Sequence, residues 1–293
     1  MLTWEEYYAQ CRDIYGSSDG SALYDLGIQV ATRENNIFSF DEEYYNHITC
    51  IREKLKTLFS CRSNTFRSNF AIALQNIYLV EEELEIIVAK YLKPYLEEKV
   101  FKSHIHCDNI KIYKTPPSTN LPASSWLWHI DNNPREQIKV MIYLDDVGED
   151  TGPFTYLKNK AGQAIKASST NVDYRQWALN EGQTKEKSQR HVAEDIEWDG
   201  SRIPPHVIDH FIKKGSVVQN CCSTAGTALL FDNNIIHRGM IPTKKARLAA
   251  TFQFKPVFFD MEKMVDKEYT GNGWDHQTFL KNPEIYICKG RKK

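Results

Sequence analysis

Apolar side chains in the first third of the chain recur every three to four residues, the period of helices that bury one face. Thr3 with Glu6 has the form of a capping box. Asp41 is placed to cap a second helix, whose buried stripe is Ile48, Ile51, Leu55 and Leu58. A third helix is predicted from Glu81 to Lys93, with Leu84, Ile87, Val88, Tyr91 and Leu92 facing inward and Pro94 ending or kinking it. Residues 1–100 are therefore expected to form a helical support.

From Phe101 the period drops to two. In Asn109-Ile110-Lys111-Ile112-Tyr113-Lys114 the isoleucines take one face and Lys111 and Tyr113 the other, before Pro116-Pro117 closes the strand. Further strands are expected over residues 125–131, 138–144, 154–157, 216–219, 227–231, 235–237 and 248–254. Residues 159–213 break the rhythm with polar sequence and short helical patterns around Val172–Leu179. They are expected to be an insertion, either a lid or substrate-binding segment or a surface excursion. Many short strands after a helical start predict an α+β architecture. Its core, residues 101–257, would be a double-stranded β-helix (a cupin-like jelly roll) with the N-terminal helices packed against it. The whole of 1–293 is expected to be one domain, with 258–293 a C-terminal extension.

Charge changes this picture by exclusion. With 37 basic and 38 acidic residues, nothing suggests a binder of nucleic-acid backbone. The seven cysteines include no Cys-x-x-Cys pair, which fits reduced thiols. No secretory signal and no apolar run of membrane-spanning length is visible, so a soluble, cytoplasmic protein is expected. The pattern leaves the oligomeric state open.

The candidate chemistry stands at His129-Ile130-Asp131 and, far downstream, Ile236-His237-Arg238-Gly239. On a strand, an i, i+2 pair shares one face. Two histidines and a carboxylate are the ligand set of a non-haem Fe(II) site, with three positions left open for cosubstrate and oxygen. Arg247 follows His237 by ten positions. A His-x-Asp alone is weak, since a histidine at a strand end is more often a hydrogen-bonded structural residue.

The surrounding blocks strengthen it. Residues 109–254 resemble the phytanoyl-CoA dioxygenase-like branch of the Fe(II)/2-oxoglutarate oxygenases. The resemblance rests on four blocks in matching order. They are the Pro-Pro turn followed by His129-Ile130-Asp131; Val140-Met141-Ile142-Tyr143-Leu144-Asp145-Asp146; Asp150-Thr151-Gly152-Pro153-Phe154; and Gly226-Thr227-Ala228-Leu229-Leu230-Phe231-Asp232 leading to His237-Arg238-Gly239 and Arg247. The family's Pro-Gly-Ser-His continuation is replaced by Leu157-Lys158-Asn159-Lys160-Ala161-Gly162, so substrate contacts do not transfer. The resemblance implies Fe(II) on His129, Asp131 and His237, and 2-oxoglutarate with its distal carboxylate on Arg247, a planar guanidinium suited to it. Lys111 is implied as a further cosubstrate contact, and Tyr113 shares its face. The implied reaction consumes O2 and 2-oxoglutarate, releases succinate and CO2, and oxidises a C–H bond of a small molecule. Asp131 is retained where related halogenases carry a small residue, which favours hydroxylation or desaturation. The alternative is a jelly-roll binding protein without turnover.

Other constellations are weaker. His104 and His106 stand i, i+2 without the glycine-rich setting of a cupin site. His206 and His210 stand i, i+4 but lack the glutamate of His-Glu-x-x-His. Cys221-Cys222 read as a buried strand. Trp126 and Trp128 would line either a pocket or a barrel wall. The insertion holds Lys185, Lys187, Arg190 and Arg202 but also Glu181, Glu186, Glu194 and Asp195, so its charge names no substrate.

Overall fold

The computed structural model describes residues 4–17, 21–60, 65–67, 71–74, 80–131, 133–169, 190–258 and 260. Thr3 and the helical pattern at 172–179 lie outside them, as does nearly all of 258–293.

Helix α1 (Trp4–Tyr15) is followed by α2 (Glu42–Leu58). The Asp41 carboxylate accepts from the Tyr44 amide at 3.0 Å, as an N-cap should. Ile48, Ile51 and Leu55 are buried, and Leu58 is half-buried at the end of the stripe. The third helix starts at Glu81 as expected but does not stop at Pro94. Helix α3 (Glu81–Ile86) passes into a π-helical stretch, Ile87–Leu92, then the short α4 (Lys93–Tyr95), then a second π stretch, Leu96–Phe101. Widened turns on both sides of Pro94 accommodate a ring that cannot donate to the ladder. Lys102 ends the run in the left-handed region, φ 53°.

The N-terminal third is not wholly helical. It also supplies β1 (Ile28–Ala31), β2 (Thr65–Arg67) and β3 (Ile72–Leu74), three or four residues each, too short to show a period. They join β4 (His104–Thr115), β5 (Ile138–Tyr143), β11 (Ala228–Asp232) and β13 (Arg247–Val257) in a seven-stranded antiparallel sheet. Its order is β1-β11-β5-β13-β4-β3-β2. A second sheet has the order β10-β6-β12, formed by β6 (Phe154–Lys158), β10 (Val217–Cys221) and β12 (His237–Gly239).

The large sheet is buried on both faces. Ile110, Ile112, Val140, Ile142, Leu230, Ala250 and Phe252 pack against the helices. The alternate residues Met141, Tyr143, Leu229, Phe231 and Ala249 pack instead with Phe154 and Tyr156 of the second sheet. The candidate site borders this interior. Between β6 and β10, the chain forms a small sheet of β7 (Ser168–Ser169), β8 (Arg190–Ala193) and β9 (Ile196–Asp199), and then α5 (Pro205–Lys213). Ala167, Trp198, Ile203, Val207 and Phe211 from this segment cover the outer face of the second sheet at Ile130, Leu157 and Ile236. Among the described residues, no helix is long and apolar enough to cross a membrane.

Candidate metal centre

His129 and Asp131 do not lie on a regular strand, contrary to the expectation for 125–131. The segment opens with a 3-10 turn, Ser124–Trp126, and then runs extended through one bridging residue. His129 exchanges backbone hydrogen bonds with His237, 2.9 and 3.0 Å, and bridges Arg202 on its other side. The Asp131 amide donates to the Asn233 carbonyl at 2.8 Å. Single backbone hydrogen bonds to distant segments therefore replace a continuous ladder in fixing the i, i+2 geometry.

The structure brings His129, Asp131 and His237 together, with one potential ligand atom from each lying within 4.8 Å of the others. Asp131 Oδ1 is 3.8 Å from His129 Nε2, and Oδ2 is 3.7 Å from His237 Nε2. Those separations are beyond hydrogen-bond reach. Each Nδ1 instead contacts a backbone carbonyl at 2.8 Å, Leu127 for His129 and Ile235 for His237. A ligating histidine is commonly oriented through its other nitrogen in this way, leaving Nε2 for the ion. Phe154 lies nearly parallel to the His237 ring at 5.1 Å, and Phe231 is 5.6 Å away.

Electrostatics suit the same role. Burial, helped by neighbouring His237, pushes His129 down to about 3. Burial also lowers His237, so both rings are neutral near pH 7, the form that binds metal. Burial alone would raise Asp131. The Lys139 ammonium and the two histidines outweigh it and hold the carboxyl well below its ordinary range.

Lys139 is the residue that sequence reading overlooked. Its Nζ stands 2.6 Å from Asp131 Oδ2. The available signal was a lysine on the same strand face as Met141 and Tyr143, which is otherwise apolar.

Arg247, at the start of β13, is buried, with 5% of its surface exposed. Its Nη1 donates to the Gly152 carbonyl, its Nε has no hydrogen-bond partner, and no carboxylate pairs with it among the described residues. Gly152 sits at φ +71°, where an added Cβ would collide with the Met240 carbonyl oxygen. Gly239 gives the guanidinium room, since a Cβ there would lie 3.0 Å from Nη2.

Tyr113 and Lys111 share one face of β4, and Tyr113 packs against the interior between the sheets. The Tyr113 hydroxyl is 3.9 Å from Met141 Sδ. Burial raises Tyr113, the Arg247 charge opposes that, and the Asp131 charge adds to it. Lys111 is an exposed residue whose ammonium is lowered by desolvation and by Lys139.

The other candidates do not join this centre. His106 is wholly buried beside Lys255. His104 meets Glu97 and Asp260 in a loose cluster whose carboxylates Lys93 already engages. His210 pairs with Asp195 at 3.1 Å. Burial pushes the Cys221 thiol up to about 12. Trp128 packs on the outer face of the second sheet, 4.6 Å beneath the Arg238 guanidinium, and so belongs to the wall.

No protein-family model matches the sequence, and no curated protein matches it. Solved structures do share the fold. EctD from S. alaskensis, solved with 2-oxoglutarate and 5-hydroxyectoine, is 12% identical, with 82% of this chain and 76% of that chain covered at a TM-score of 0.51. The same protein with bound Fe gives the same values. The non-heme alpha ketoglutarate dependent carbocyclase SnoK from nogalamycin biosynthesis is 12% identical, with 87% and 86% covered at 0.50. At these identities the likeness is one of architecture: a mixed helix and antiparallel-sheet fold shared with iron and 2-oxoglutarate enzymes.

Proposed function

We propose that the chain is an Fe(II)/2-oxoglutarate-dependent oxygenase, of the phytanoyl-CoA dioxygenase-like kind, that hydroxylates a C–H bond of a small molecule. The observation that carries this reading is Arg247. A buried guanidinium without an anion is costly, and it borders the same interior as two neutral histidines and a carboxylate. A dicarboxylate reaching from Arg247 to the metal centre would satisfy both ends. Strand order supports the matching fold: β11-β5-β13-β4 against β10-β6-β12 reads as the two walls of a double-stranded β-helix, with residues 1–100 as support and 159–213 as an insertion in a single domain.

His129, Asp131 and His237 would hold the ion, and the three donors fit Fe(II) in charge and type. Bound iron and 2-oxoglutarate supply an oxidant generated from O2, with succinate and CO2 released. The remaining work falls to the chain. The Leu127 and Ile235 carbonyls aim the imidazoles, Arg247 would hold the distal carboxylate, and Lys111 and Tyr113 would line the cosubstrate's path. Phe154 and Phe231 shield His237 from water. Asp131 would supply the carboxylate that related halogenases replace with a small residue, which favours hydroxylation or desaturation.

One observation favours a second reading. The Lys139 ammonium already neutralises Asp131, as it would in a jelly-roll binding protein without turnover. Anaerobic addition of Fe(II) and 2-oxoglutarate decides between them. The oxygenase should develop a visible charge-transfer band and, in air with ascorbate, form succinate. Well-folded protein that binds neither Fe(II) nor 2-oxoglutarate would refute it.

A further inference from the structure

Arg202 comes from the segment that interrupts the strand pattern, yet it is fastened to the metal centre. It faces His129 in an antiparallel bridge. The Ile130 amide donates to the Ser201 carbonyl at 3.1 Å, and the Ile203 amide to the Trp128 carbonyl at 2.9 Å. Opposed residues of an antiparallel bridge send their side chains to one face. Arg202 therefore leaves the backbone on the side of the His129 imidazole. Its charge acts on His129 and His237, and Asp131 acts on it. It remains solvent-accessible, and no described residue offers it a hydrogen bond or ion pair.

Lys111, on the β4 wall, is in the same condition. Asp131 is the one described carboxylate acting on it, and Lys139 repels it. With Asp131 committed to a metal ion, Lys111, Lys139 and Arg202 have no described counter-charge. The cosubstrate would not remove this surplus if Arg247 holds its free carboxylate and the metal its other end. A solvated surface arginine is ordinary. Arg202 differs in that it is bridged to a candidate ligand, and Asp131 is the one described acid acting on it.

We propose that the substrate is an anion, and that Arg202 grips its carboxylate or phosphate group at the mouth while the C–H bond to be oxidised lies over the metal centre. A guanidinium suits either group, presenting two parallel donors to two oxygens. The insertion then contributes a charge-selecting residue, and specificity for the anion is built by how that segment folds back on His129. This inference rests on the oxygenase reading and narrows its substrate class.

The test uses the full chain loaded anaerobically with Fe(II) and 2-oxoglutarate. Phenyl phosphate, phenylacetate and the neutral benzyl alcohol are titrated separately, with binding read from the visible band and by calorimetry. At least one anion should bind roughly tenfold or more tightly than the alcohol, the scale of one charge-assisted hydrogen bond, and which anion does so separates phosphate from carboxylate. Arg202→Gln should erase that preference and Arg202→Lys keep part of it, with 2-oxoglutarate affinity unchanged in both. Equal binding of anions and alcohol, or an unaltered preference in Arg202→Gln, overturns the proposal while leaving the oxygenase reading intact. Failure of the wild-type chain to form the band overturns both.

Discussion

Gly239→Ala tests whether Arg247 holds the cosubstrate, without touching a charge. The new methyl would stand 3.0 Å from Nη2, 3.5 Å from Nη1 and 3.7 Å from Cζ of Arg247. The first contact is tighter than side chains normally tolerate, so the guanidinium must retreat by a few tenths of an ångström. Its retreat is limited, because Nη1 is tied to the Gly152 carbonyl and the side chain is buried. A full charge-assisted hydrogen bond is worth about 1.5–3 kcal/mol, and misalignment forfeits part of one. A loss of about 1 kcal/mol weakens 2-oxoglutarate binding roughly fivefold. Strand propensity favours alanine over glycine, so stability should change by about 1 kcal/mol at most. The assay is anaerobic titration of iron-loaded protein with 2-oxoglutarate, with thermal unfolding as the control. Arg247→Ala should weaken binding by roughly tenfold to a hundredfold, and Arg247→Lys by an intermediate amount, since it keeps charge but loses the fork. Unchanged affinity in both Gly239→Ala and Arg247→Ala would remove Arg247 from the site. A loss in Arg247→Ala alone would refute the account of Gly239.

Three further outcomes are expected. Asp131→Ala should abolish iron binding, read by metal analysis after desalting, while circular dichroism stays native, since backbone hydrogen bonds fix this segment; loss of folding would make Asp131 structural. Lys139→Met should tighten Fe(II) binding several-fold in chelator competition, because it removes a cation 2.6 Å from Oδ2; weaker binding would instead assign Lys139 to holding the carboxylate in place. The metal-free protein should lose stability as pH falls. His106, His129, His191 and His237 are all lowered by burial, so below about pH 6.5 the unfolded chain binds more protons than the folded one, and each histidine removes up to about 1.4 kcal/mol per pH unit down to its folded value. Asp131, also lowered, contributes above its ordinary range near pH 4 and loses that only below it. Urea midpoints at about pH 7.5 and about pH 5.5 check this; equal midpoints would contradict it.

What the sequence disclosed follows from how locally each feature is encoded. Strands β4, β5 and β13 were visible from alternating side chains, and β11 from a continuous apolar run, Ala228-Leu229-Leu230-Phe231. The short strands β1, β2 and β3 were not, because a strand of three or four residues carries no measurable period and is specified by its partner. Pro94 marked a disturbance correctly, but whether a helix stops or widens there depends on the core beneath it. Ile87, Val88, Leu92 and Leu96 bury their side chains on both sides of the proline, which makes continuing the helix favourable.

The metal centre separates residue identity from the structure that holds it. His129 and Asp131 were expected to owe their shared direction to a strand, and the segment has one bridging residue instead. Their geometry survives because extended backbone places i and i+2 on one side whether or not a ladder continues, and the His237 and Asn233 carbonyls pin the two amides. An i, i+2 motif is thus readable from sequence even where the predicted element fails. Arg202 is the converse. Nothing within ten residues of it in the chain marks it, because its position depends on a tertiary bridge to His129 across more than seventy residues of sequence. The candidate ligands His129 and Asp131 stand i, i+2 in sequence and so leave a pattern. The role proposed for Arg202 depends on where its segment folds, so it leaves no comparable pattern in the sequence.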